Sequence, residues 1–434
     1  MATKILFMKK IFSLIILFFA ATISFAQKAL DVINKAEVLR IENYLASDEL
    51  KGRKPGTAGI DKAADFIANE FKNYGLKFSA GETSYKQNFT FVKTKYITAS
   101  GLVDSLKLEP SDIIAITTDS ILSINEKDNY KKAIIKKDEN LFFAAQDILK
   151  KEENQIVFVD RFFKNDFSKL KRFKREGLKT NYSIVFVLAN NPTKYNVDVS
   201  HKITAINYTN VLGVLPGKSK KNEMVVFSGH YDHLGVTSKP LAGDSIYNGA
   251  NDDAAGTTAV MMLANYFAKQ KNNERTLIFV AFTAEEIGGF GSSYFSTHNI
   301  DANKIVAMFN LEMIGTESKW GKNSAYITGF EKSDFGKILQ KNLQGSAFHF
   351  EPDPYPSENL FYRSDNATLA ALGVPAHTIS TSKMDSEKNY HKLTDEVSTL
   401  DIENMTEVIK AIVISSKTIV SGKDTPSRVE KMQQ

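Results

Sequence analysis

From Asn207 onward the chain alternates short, wholly apolar runs with longer stretches whose apolar residues recur every three or four positions. Met224–Ser228, Thr276–Phe282, Ile305–Leu311 and Ala376–Ile379 read as buried strands. Ala254–Lys269, Phe335–Leu343, Asp365–Leu372 and Ile402–Val420 read as helices. This rhythm predicts an α/β fold: an open, mostly parallel sheet flanked by helices. In such sheets ligands bind beyond the carboxyl ends of the strands, where strand order reverses.

Upstream, Ala29–Ala46 and Ile60–Tyr74 also carry helical spacing, joined by the polar LASDELKGRKPGTAG. Phe89–Val92 and Tyr96–Leu102 read as two short strands. Between about Lys93 and Ile206 charged stretches alternate with β-branched runs such as IIAI (113–116), IVFV (156–159) and YSIVFVLA (182–189). An inserted β-rich domain is expected at 93–206, with the main domain in two parts, 27–92 and 207–421. The tail at 422–434, GKDTPSRVEKMQQ, is polar and expected to fray.

The first residues change the picture of where the protein works. Lys4, Lys9 and Lys10 precede an apolar run from Ile11 to Ile23, and Ser24-Phe25-Ala26 supplies small residues before Gln27. That layout predicts a signal peptide at 1–26 and an exported protein, periplasmic or extracellular, with no stable membrane anchor after cleavage. The run is short for a span of about 20 residues. With no cysteine in 434 residues, disulfides, thiolate metal sites, a cysteine nucleophile and lipid attachment at a cysteine are excluded. The formal net charge is +5, about +2 without the three leader lysines, too balanced to argue for a nucleic-acid partner.

The chemistry sits at the ends of the apolar runs. His230 lies in VVFSGHYDHLG, Asp252 in NGANDDAAG, Glu285 and Glu286 in LIFVAFTAEEIGG, Glu312 in NLEMIG and His391 in NYHKLTDE. Two imidazoles and three carboxylates can hold two divalent cations with one carboxylate shared, leaving the remaining acid as a general base. Each motif also has an ordinary reading. A histidine at a strand end is commonly a polar loop residue, and His233 competes with His230 as a ligand. Asp252 and Asp253 before a helix suit N-capping. Glu285-Glu286 after so apolar a lead-in fits a solvated loop badly, because adjacent carboxylates there repel unless cations compensate them. Asp232, two residues from His230, suits a carboxylate that orients a ligating imidazole.

Together these segments resemble the M28 family of zinc metallopeptidases over roughly residues 40–95 and 205–421, including LASDELKGRKPGTAG and NVLGVLPG. The resemblance implies a zinc-peptidase/phosphorylase-like fold and two zinc ions, with His230 and Glu312 on one and Glu286 and His391 on the other. It also implies that Asp252 bridges, Glu285 acts as general base and acid, and Asp232 orients His230. The family usually has aspartate where Glu312 stands and an SDH segment where this chain has YRSDN, with Asn366 at the histidine. Asn251 replaces a common aspartate. The middle region stands where the family often carries a protease-associated insertion, without matching it in sequence.

The implied activity is hydrolysis of peptide or protein substrates by an aminopeptidase. Tyr390, beside His391, is the candidate donor to the tetrahedral oxyanion. The aromatic stretch FHFEPDPYPSENLFY (348–362) is expected either to wall the specificity pocket or to pack in the core. Glu285 or Asp365 is expected near the substrate amine. Two alternatives remain open: single-zinc glutaminyl cyclisation, and a non-catalytic receptor or binding protein on the same fold. An α/β-hydrolase is excluded for want of a G-x-S-x-G elbow.

Overall fold

The computed structural model describes residues 30–173, 176–298 and 300–432. The expected leader at 1–26 lies outside them, and among the described residues no helix is long and apolar enough to cross a membrane. The chain divides into two compact units, one formed by the segments before Asn88 and after Thr209, the other by Phe89–Tyr208.

In the first unit the sheet is built from the part of β1 (Tyr195–Leu215) that begins at Thr209, with β2 (Lys220–His230), β3 (Arg275–Phe282), β4 (Ile305–Leu311), β5 (Ser324–Ile327), β6 (His349–Pro352) and β7 (Ala376–Ser380). Their spatial order is β6-β5-β7-β4-β2-β3-β1. The run β3-β2-β4-β7 is parallel throughout, β1 joins β3 antiparallel, and β5 joins β7 antiparallel. Side chains of a strand point alternately to the two faces, and the sequence uses both. Phe227, Leu277, Phe279, Ala281 and Phe309 face a core shared with the helices Lys35–Leu45, Ala58–Asn73, Ala255–Gln270 and Ile402–Val420. Val226, Ile278, Val280 and Met308 face a second core with Phe295, Leu369 and Val429. Strands buried on both faces are why these runs carry no polar alternation.

Three expectations change. Phe89–Val92 and Tyr96–Leu102 belong to one strand, Lys86–Val103. The tail does not fray over its described part. Arg428 donates to the carbonyls of Ile305 and Ala302, Ser427 accepts the amide of Asp334, and Val429 is buried. A polar composition hides this because one arginine and one valine do the anchoring. The Phe89–Tyr208 unit, expected to be β-rich, also contains a helix, Leu141–Leu149, linking the parallel strands Lys131–Ile135 and Gln155–Val159. Asn140 caps it, accepting the amides of Phe142 and Phe143. That four-stranded sheet is completed by Ile184–Leu188 and Ile113–Ile116, the last strand antiparallel.

His377 on β7 is buried and neutral. One ring nitrogen meets the Thr328 carbonyl at 2.8 Å and the other meets Ser333 Oγ at 2.7 Å. Burial lowers its pKa to about 4. Between the ordinary histidine value and that lowered one the unfolded chain binds more protons, so stability falls as pH drops through the window. The expected loss is about 3 kcal/mol, measured by urea unfolding between pH 7 and pH 4. H377Q should flatten that part of the profile, and an unchanged slope would show that another group carries it.

Candidate metal centre

The parallel strands deliver their following residues to one place. β2 ends at His230, β3 leads into Glu285 and Glu286, and β4 ends directly before Glu312. Asp252 precedes the Ala255–Gln270 helix, and His391 lies between β7 and the last helix. All six line one cleft, with Tyr390 at its wall.

Asp252 stands at the centre. Its Oδ1 is 3.2 Å from His230 Nε2 and its Oδ2 is 3.2 Å from His391 Nε2. Glu312 Oε1 is 3.4 Å from the same His230 nitrogen, and Glu286 Oε2 is 3.0 Å from that of His391. Tetrahedral zinc with ligands at its usual bond lengths separates neighbouring ligand atoms by about 3.3 Å. The donor atoms already stand at such spacings. Among the described residues, the buried Asp252 Oδ2 receives no well-directed hydrogen bond, which leaves an orphaned oxygen able to face a cation.

The charges agree with the geometry. Burial alone would raise the Asp252 pKa, but the imidazoles of His230 and His391, each 3.2 Å from one of its oxygens, hold it far below the carboxylate range. His391, paired with the carboxylates of Asp252 and Glu286, is pushed up to about 10. For His230, burial opposes the charge, yet Glu312, Asp232 and Asp252 raise its pKa well above normal. Protons on these imidazoles balance the carboxylates, and a metal ion would displace them. Among the described residues Glu285 has no imidazole at ion-pair distance. Burial, with Asp365, Glu312 and Asp232 nearby, raises its pKa well above normal.

Two further acidic and imidazole side chains crowd the ligands. Asp253, with His230 and Glu312, has ligand-type atoms within 4.8 Å of one another, as do His233, Asp252 and Glu286. Asp253 is already committed: it accepts the amides of His230, Gly256 and Met313 at 3.1, 2.9 and 3.0 Å. It thus pins the ends of β2 and β4 to the helix start, which extends the capping role expected for it. Gly256 permits the approach, since a Cβ there would lie 2.1 Å from the Leu311 carbonyl. His233 Nδ1 lies 2.6 Å from Glu286 Oε1, so Glu286 presents one oxygen to His233 and the other to His391. His233 is fully buried whereas His391 opens on the cleft. This geometry sets His233 behind Glu286, away from the cleft.

Asp232 reaches further than expected. Its carboxylate accepts the amides of Glu285 and Glu286 at 3.1 and 3.4 Å. His230 Nδ1 is 3.1 Å from the Asp232 carbonyl and 3.6 Å from its carboxylate. Tyr390 stacks on His391 with ring centroids 3.9 Å apart. Sequence reasoning missed Asp395, whose carboxylate accepts the amides of Asn251 and Asp252, and Ser364, which donates to Glu312 Oε2 at 2.8 Å. Both stand in stretches already singled out, HKLTDE and YRSDN. Asn366 donates to the carbonyls of Phe361 and Ala376 and is buried, so it serves packing. Asp365 is buried beside Ser292, and among the described residues neither of its carboxylate oxygens receives a well-directed hydrogen bond. From the aromatic stretch, Leu360 lines the cleft, while Phe348, Phe350 and Phe361 pack into the two cores.

Residues 210–414 match the family model described as Peptidase family M28. A probable zinc metalloprotease of Pyrenophora teres f. teres is 33% identical over 114 residues, covering 26% of this chain and 23% of that protein. Leucine aminopeptidase 1 of Ajellomyces capsulatus is 25% identical over 213 residues, 46% of this chain and 53% of its own length. The matched segments thus span a quarter to a half of these relatives. Among solved structures, BSAP, a zinc aminopeptidase from Bacillus subtilis, aligns over 92% of this chain and 98% of its own, with a TM-score of 0.54 and 16% identity. That likeness is one of fold.

D253A should leave three buried amides without an acceptor, at about 1–3 kcal/mol each. Denaturant unfolding is expected to show a loss of at least about 3 kcal/mol, and a near-neutral result would remove the pin.

Proposed function

We propose that this chain, whose residues 210–414 match peptidase family M28, is an exported, zinc-dependent aminopeptidase with a two-metal centre. The observation that carries this reading is Asp252, whose two oxygens each face a different imidazole at 3.2 Å. On this reading His230 and Glu312 would hold one zinc, His391 and Glu286 would hold the other, and Asp252 would serve both. The basic, apolar, then small-residue layout of residues 1–26 supports export.

Bound zinc would supply Lewis acidity, polarising the scissile carbonyl and easing deprotonation of water. The rest falls to the side chains. Glu285 takes the proton from the attacking water and returns it to the leaving amine. Its raised pKa suits both directions, because burial leaves the carboxylate basic enough to accept and the acid strong enough to donate. Asp232 holds the Glu285 and Glu286 amides, fixing base and ligand on one turn. Ser364 holds Glu312 by its second oxygen, so the longer side chain still presents a single defined oxygen to the metal position. Tyr390, braced against His391, donates to the oxyanion as the carbonyl becomes tetrahedral. A complete ligand set for both metals favours this reading over single-zinc cyclisation and over a non-catalytic binding role.

E285Q should lower kcat by about 10²–10⁴ while zinc content stays at the wild-type value. Unchanged turnover would remove Glu285 as base, and a firm single zinc in the wild type would favour the cyclase. A peptide with a free α-amine should be cleaved and its N-acetylated twin resisted. Equal cleavage of the two would replace exopeptidase with endopeptidase action.

A further inference from the structure

We infer that Arg53 is a positioning residue for the metal centre, its buried guanidinium tying the loop that follows His230 to the loop that leads into Asp252. The inference rests on the two-metal reading above. Arg53 is fully buried, about 180 residues upstream of both loops in sequence. Its Nε donates to the Tyr231 carbonyl, between His230 and Asp232, at 2.8 Å. Its Nη2 donates to the Gly249 carbonyl at 2.8 Å, and its Nη1 to the carbonyls of Asn248 and Leu45. The Arg53 carbonyl in turn accepts the amide of His233, the residue behind Glu286. One side chain and its own peptide therefore touch the supports of three ligands.

The local backbone is shaped for this reach. Lys51, Gly52 and Arg53 all have positive φ, at 51°, 66° and 46°. Gly52 has no alternative, since a Cβ there would lie 2.5 Å from the Gly235 carbonyl oxygen and 2.6 Å from that of Tyr247. An arginine that merely balanced charge would pair with a carboxylate. Among the described residues Arg53 forms no ion pair and spends its donors on main-chain carbonyls. A planar fork with fixed donor directions spans carbonyls on separate segments, which the single ammonium of lysine does not. The side chain therefore sets the spacing of the two loops without touching substrate.

The test compares wild type, R53K and R275K for zinc affinity by chelator competition and for the visible spectrum of the cobalt(II)-substituted protein. Arg275 is the control: it is equally buried and donates to the carbonyls of Ile419 and Asp424, away from the cleft. R53K is expected to weaken zinc binding about 10- to 100-fold, the usual cost of losing support behind a ligand, and to alter the cobalt spectrum. R275K is expected to lower Tm and to change neither zinc affinity nor the cobalt spectrum. On the wild-type chain alone, zinc loading should slow hydrogen exchange in 45–54 together with 228–235 and 248–254, because coupling between sites is reciprocal. Wild-type affinity and spectrum in R53K, or exchange at 45–54 that ignores zinc, would overturn the inference. A wild type that takes up fewer than two zinc ions sinks the two-metal reading, and this inference with it.

Discussion

Burial of like charge is the constraint on which the rest of this molecule turns. Asp252, Asp253, Glu285, Glu286, Glu312 and Asp365 converge at the carboxyl end of one sheet, with Asp232 and Asp395 just behind them. Carboxylates so placed are costly unless cations or directed donors compensate them. The molecule divides the work. Asp232, Asp253 and Asp395 are satisfied by backbone amides, and Asp252, Glu286 and Glu312 are left facing imidazole nitrogens. The first group builds the cage and the second group fills it.

The fold makes that division possible. A parallel run of strands brings the ends of β2, β3 and β4 side by side, so residues far apart in sequence meet without long loops. The strand interiors are apolar on both faces, which keeps the sheet rigid and leaves polar chemistry to its rim. Backbone amides then become the chief currency of precision. Asp253 joins β2, β4 and a helix start, Asp232 joins β2 to the turn after β3, and Asp395 reaches back from the last loop. Arg53 applies the complementary logic to carbonyls.

Glu312 shows how a longer side chain is accommodated. With a methylene more than aspartate it gains freedom at the end of β4, and Ser364 removes that freedom by holding its second oxygen. His233 illustrates the opposite case, a residue able to ligate that is buried against Glu286, away from the cleft. Which of two neighbouring histidines faces the cleft is a matter of packing, not of side-chain chemistry.

The hydrophobic rhythm alone determined the sheet class, the main helices and the placement of His230, Glu285, Glu286 and Glu312 just beyond strand ends, because local periodicity and burial are coupled over a few residues. It could not see that the tail docks, that a helix crosses the inserted unit, or that the aromatics of 348–362 mostly pack inward. Those depend on partners distant in sequence. Only the tertiary structure decided which oxygen of Asp252 faces which imidazole, and that Asp253 is consumed by amides. The same holds for His233 packing behind Glu286 and Arg53 serving both loops. Directed contacts between remote segments are set by three-dimensional closure, and one-dimensional spacing carries no record of them.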